Sequence, residues 1–133
     1  MYQKLSLNQL LFAFLLLTLA FALVSSSSAI AGDDKKYFTK EEVISHVSDK
    51  TEEWSKGAGY YGLGGELKAV WDGEKLEGTW RVKDNGEMCV NIAAWGEEGC
   101  HNYRLKNDVI ELVYQGEGKF RKVESGNTLE SYL

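Results

Sequence analysis

Two hydrophobic patterns divide the chain. Residues 10–24 (LLFAFLLLTLAFALV) form an unbroken apolar run apart from Thr18. From about residue 51 the apolar positions alternate with polar ones instead. Over residues 76–83, Leu76, Gly78, Trp80 and Val82 share one face, and Glu77, Thr79, Arg81 and Lys83 share the other. A period of two is that of a half-buried strand. The same period places Met88, Val90 and Ile92 together in 87–94. It also groups His101, Tyr103 and Leu105 in 100–106, and Ile110, Leu112 and Tyr114 in 109–115. Further strands are predicted at 51–55, 66–71 and 119–124. Between them lie Asp72-Gly73, Asp84-Asn85-Gly86, 96–99, Lys106-Asn107-Asp108 and Gly116-Glu117-Gly118, residues suited to tight turns.

One stretch has helical spacing. Thr39-Lys40-Glu41-Glu42 reads as a capping box, with the Thr39 hydroxyl accepting from an early helical N–H and Glu42 reaching back to the Thr39 N–H. Val43, Ile44 and Val47 follow on one side, so a short helix is expected at about 40–50. Residues 33–38 read as a loose polar lead-in. Residues 57–65 (GAGYYGLGG) hold five glycines, which predicts a loop or a strongly bent strand. Residues from about 125 to the end read as a loose tail.

Six or seven strands joined by short turns must pair antiparallel, since parallel neighbours need long crossovers. The expected fold is mainly β: an antiparallel meander forming a small barrel or half-barrel, with one short N-terminal helix.

The first pattern changes where this domain works. Lys4, the apolar run and the small residues Ala29-Ile30-Ala31 have the order of a secretory signal peptide. The run is shorter than the ~20 residues a spanning helix needs. Residues 1–31 are therefore expected to be cleaved between Ala31 and Gly32, leaving 32–133 as a single small β-rich domain, periplasmic or secreted. Removal of Lys4 from 15 basic residues leaves 14 against 20 acidic ones, a net of −6. A negative surface disfavours nucleic acid and anionic lipid as partners. No prolines occur, and all 14 glycines lie at or after Gly32.

In an exported chain, two cysteines favour a disulfide, here Cys89–Cys100. A hairpin tip near 93–96 would put them directly opposite; a tip at 96–99 would require a bulge. A C-x-x-C redox pair and a haem-attachment motif are missing. His46 and His101, the only histidines, have no third ligand at a telling spacing, so neither metal nor cofactor is expected. The acid pairs Glu41-Glu42, Glu52-Glu53 and Glu97-Glu98 read as solvated charge rather than carboxylates facing across a cleft. No nucleophile elbow or phosphate loop is present.

The order Asp72-Gly73, Gly78-Thr79-Trp80, a turn, Met88-Cys89 and then Cys100 resembles exported proteobacterial proteins grouped as domain of unknown function family 995. The resemblance spans about 39–124. It implies a secreted or periplasmic domain of this length with paired cysteines, and a structural role for Gly78, Trp80, Cys89 and Cys100. It carries over no catalytic residue.

With no catalytic set in view, the aromatics stand out. Tyr60 and Tyr61 lie in the glycine-rich stretch and Trp95 beside Gly96. Aromatics near loops either form binding surfaces or fold back to close a barrel end. The first expectation is a non-enzymatic module that uses Tyr60, Tyr61 and Trp95 to bind a small apolar ligand or an envelope protein. The alternatives are a small secreted hydrolase of cell-envelope material, using His101 with a nearby carboxylate, and a structural envelope protein.

Overall fold

The computed structural model describes residues 35–133. The expected signal segment and its Ala31–Gly32 cleavage point lie outside them.

The chain runs β1 (Lys35–Tyr37), α1 (Lys40–Val47), β2 (Lys50–Trp54), β3 (Gly57–Tyr61), β4 (Glu66–Trp71), β5 (Glu74–Val82), β6 (Met88–Ile92), β7 (Gly99–Lys106), β8 (Val109–Tyr114), β9 (Glu117–Phe120) and β10 (Val123–Ser125). Short 3₁₀ turns occupy Ala93–Trp95 and Leu129–Tyr132. All pairings are antiparallel, in the order β10-β2-β3-β4-β5-β6-β7-β8-β9. The sheet curls into a half-barrel over the core. Four hairpins turn in two residues, and three of them, Asp72-Gly73, Asn107-Asp108 and Gln115-Gly116, have both residues at positive φ. That geometry matches the right-handed twist of the flanking strands.

Strand β7 changes partner along its length. Gly99–His101 pairs with β6, and Arg104–Lys106 pairs with β1 on that same side. The lead-in expected to be loose is thus the short strand β1, held because β6 leaves this part of β7 unpaired. The sheet's two edges also approach each other. Arg121 and Lys122 alone connect β9 to β10, so Phe120 and Val123 lie within about 11 Å. The Glu53 N–H donates to the Lys122 carbonyl at 2.8 Å, extending the β2–β10 pairing into this connection.

Helix α1 covers one end. Its capping box forms as the sequence predicts: the Glu42 N–H donates to Thr39 Oγ1 at 3.3 Å, and the Thr39 N–H to Glu42 Oε2 at 2.9 Å. Such a cap contributes about 1 kcal/mol. Val43 and Val47 are fully buried against Tyr61, Leu67, Met88, Ile92 and Tyr103. An open cleft of 640 Å³ remains beside the helix, walled by Phe38, His46, Leu105 and Ile110.

Two expectations give way. The glycine-rich stretch is a regular strand over Gly57–Tyr61, paired on both sides. Gly59 has to be small because a Cβ there would collide with the Trp54 indole. The tail from 125 is docked. Thr51 Oγ1 donates to the Gly126 carbonyl at 2.8 Å and accepts from the Thr128 N–H at 3.0 Å. Leu129 is buried on the outer face against Ala58 and Val70.

Candidate functional site

Strand β2 aims Glu52 and Trp54 inward, because residues two apart share a face. Glu52 is 0% exposed. Its Oε2 accepts from the Tyr103 hydroxyl at 2.6 Å. Its Oε1 accepts from the Tyr61 hydroxyl at 3.2 Å and from the Trp54 indole N–H at 3.2 Å. His101 Nε2 lies 3.3 Å from the Tyr103 hydroxyl. Glu52 and its three donors tie β2, β3 and β7 together inside the half-barrel.

Burial governs the charge state of this cluster. It raises the Glu52 carboxyl above its ordinary range, against the opposing pull of the Tyr103, Trp54 and Tyr61 hydrogen bonds and the Arg121 charge. Burial, helped by the Glu52 charge, pushes both tyrosines well above their usual range. It lowers His101 to about 4, with Arg121 adding to the effect. His46 is lowered too, by burial and then Lys50. His101 is therefore neutral at pH 7. An acid–base role would require a reacting group to reach a carboxyl that is fully covered and already accepts three hydrogen bonds. The arrangement suits a polar tie within the core.

The reading of Glu52-Glu53 as a solvated pair is half right. Glu53 is exposed and Glu52 is among the most buried residues of the chain. The signal available in the sequence is the two-residue offset from Trp54, which puts Glu52 on the inward face whenever the tryptophan points in.

Trp54 also belongs to a second group. It ends β2, Trp71 ends β4, and Trp95 lies in the 3₁₀ turn between β6 and β7. Alternate hairpin turns fall at the same end of a meander, here the end opposite α1. The three indoles form a triangle with ring centroids 5.8 Å (Trp54–Trp95), 5.5 Å (Trp71–Trp95) and 6.3 Å (Trp54–Trp71) apart. Trp95 folds back onto its two partners yet stays 45% exposed.

The three aromatics singled out in the sequence do not meet. Tyr61 points inward to Glu52. Tyr60, its neighbour, points outward, where its hydroxyl donates to Asp49 Oδ1 at 2.7 Å. Trp95 stands at the rim. The partners that Trp95 does have are Trp54 and Trp71, and their convergence depends on the sheet's curl, which leaves no local mark in the sequence.

Cys89 and Cys100 are directly paired across β6 and β7 and form a disulfide. The 3₁₀ turn at 93–95 lets the strands meet without a bulge at that pair. Glu87 lies beside the two sulfurs. Sulfurs joined to each other offer no thiolate, so this group is no metal-ligand set.

Together these features define a disulfide-clamped β half-barrel with a polar tie in its core and a tryptophan rim at one end. The family described as "Protein of unknown function (DUF995)" matches residues 14–124, and the chain belongs to it. No curated protein and no solved structure matched the chain.

Proposed function

We propose that the chain is an exported, non-enzymatic binding module of the periplasm or the cell exterior. It contacts a small apolar ligand or an envelope protein through the Trp54–Trp71–Trp95 rim. The carrying observation is Trp95, 45% exposed on a turn with two further indoles beneath it. A rigid aromatic surface of this kind supplies contact area at low entropic cost and is typical of binding hot spots. The signal-like N-terminus and the Cys89–Cys100 disulfide support an oxidising compartment.

The test is native mass spectrometry on protein exported through its own leader, for the wild type and for Trp95→Ala. Extra mass on the wild type, lost in the variant while its melting temperature stays within a few degrees, supports the rim. An adduct that survives Trp95→Ala, or a variant that no longer folds, returns Trp95 to a purely structural role. The second reading, a small hydrolase, has the His101–Tyr103–Glu52 chain in its favour. It requires loss of activity on envelope material in His101→Ala.

A further inference from the structure

The chain has three arginines, Arg81, Arg104 and Arg121. Two of them present the same edge to a carboxylate. Arg81 donates from Nε to Glu98 Oε2 at 3.0 Å and from Nη2 to Glu98 Oε1 at 2.6 Å. Arg104 uses Nε and Nη2 on Glu111 Oε2, both at 2.8 Å. Arg121 has no such partner. Its Nε is the one buried side-chain polar atom without a hydrogen bond among the described residues. A guanidinium only donates, so a buried Nε–H asks for an acceptor. The nearby Glu52 does not supply it: its oxygens accept from Tyr103, Tyr61 and Trp54 and from no arginine nitrogen.

Arg121 lines a concavity of 110 Å³ with Lys119, Glu117, Leu112 and Tyr114. Lys119, like Arg121, makes no ion pair among the described residues, although the chain is acidic overall. The lining holds two cations against the single carboxylate of Glu117, and the other carboxylate near Arg121, Glu52, is buried in the core. The volume holds one functional group with a short stem, and Leu112 and the Tyr114 ring offer that stem an apolar wall. A planar carboxylate matches the flat edge of a guanidinium, the kind of partner the other two arginines use.

We propose that Arg121 and Lys119 form a binding site for a monocarboxylate with a short apolar stem, seated on Leu112 and Tyr114. The site uses none of the rim tryptophans, so the two proposals stand or fall separately.

The test is a titration of the ¹⁵N-labelled full chain with butyrate, and separately with inorganic phosphate, at pH 7. Three arginines give three Nε–H signals, and those of Arg81 and Arg104 serve as internal controls. The expected result is a saturable shift of the Arg121 signal alone with butyrate, and a much weaker response to phosphate. Arg121→Lys, read on the backbone amides of residues 119–121, should weaken butyrate about tenfold, because an ammonium cannot reproduce the fork. Lys119→Gln, at an exposed position, should weaken it as well with the fold intact. No saturable shift, equal shifts on all three arginines, or phosphate binding as tightly as butyrate would each overturn the proposal.

Discussion

Glu52 and Glu53 are chemically identical neighbours in opposite media, and only the direction of the side chain separates them. Such a residue is poorly legible in a sequence. Thr51-Glu52-Glu53-Trp54 alternates acceptably in either phase, and the phase is fixed by which side of β2 meets Tyr61 and Tyr103. Trp80 was easier to read: the alternation around it is unambiguous, and its indole N–H finds the Gly62 carbonyl at 2.9 Å. The buried cluster makes a testable statement about pH. His101 has its folded value lowered from 6.5 to about 4, so the native state resists protonation more than the unfolded chain does. Its contribution to stability is full above pH 6.5 and is lost as pH falls toward 4. Glu52 has the opposite sign: its raised value favours the fold at low pH and weakens it as pH rises past 4.5. Arg121 and Glu87 face His101 with opposing effects. Between pH 7 and pH 4.5 protonation of His101 in the unfolded chain should remove ~2 kcal/mol of stability. Urea denaturation at the two pH values should therefore show His101→Gln losing ~2 kcal/mol less than the wild type. Equal losses would mean that His101 titrates normally.

At the scale of elements, the periodic strands and the capped helix were legible because each carries its own signal. The period-two runs became β5 to β8, and the Thr39–Glu42 box became the start of α1. The misread elements are those whose reason for existing lies elsewhere in the chain. Strand β3 accommodates Gly59 because the Trp54 ring occupies the space it leaves, and Gly57 because the Val70 backbone passes close to it. The C-terminal segment has few apolar residues of its own, and it is ordered by Thr51, Ala58 and Val70 on strands formed much earlier in the sequence. That docking has a measurable consequence. Leu129 is 9% exposed, and truncating it removes most of the apolar contact made by the last 3₁₀ turn. Leu129→Ala should cost about 2 kcal/mol, the low end for a buried leucine, since this outer cluster is small and can collapse. Thermal or urea unfolding measures it. A change below ~0.5 kcal/mol would return the segment to the loose tail that its composition suggests.

Over the whole molecule, a thinly paired join in the middle of the sheet lies where β7 exchanges β6 for β1. Strands β6 and β7 share only three paired positions, Met88–His101, Cys89–Cys100 and Val90–Gly99. On one side of this join lie β2 to β6 and β10; on the other lie β1, β8 and β9. The disulfide occupies the middle of the three pairs. A covalent bond there does more than shorten the free chain, because it holds the two parts of the half-barrel in register where few backbone hydrogen bonds do so. By chain entropy alone, a loop closed over a sequence separation of 11 contributes ~3 kcal/mol. Replacing both cysteines with alanine should therefore lower stability by ~3 kcal/mol. The loss should also be uneven. Amide exchange should accelerate first in β6 and in the β1–β7–β8–β9 part, while β2 to β5, each paired along its length, stay protected close to the global limit. Hydrogen exchange followed by mass spectrometry, resolved to peptides, separates this outcome from simple loop entropy. Uniform acceleration across all strands would mean that the disulfide acts only on the unfolded chain, and that the β6–β7 join is as strong as the rest of the sheet.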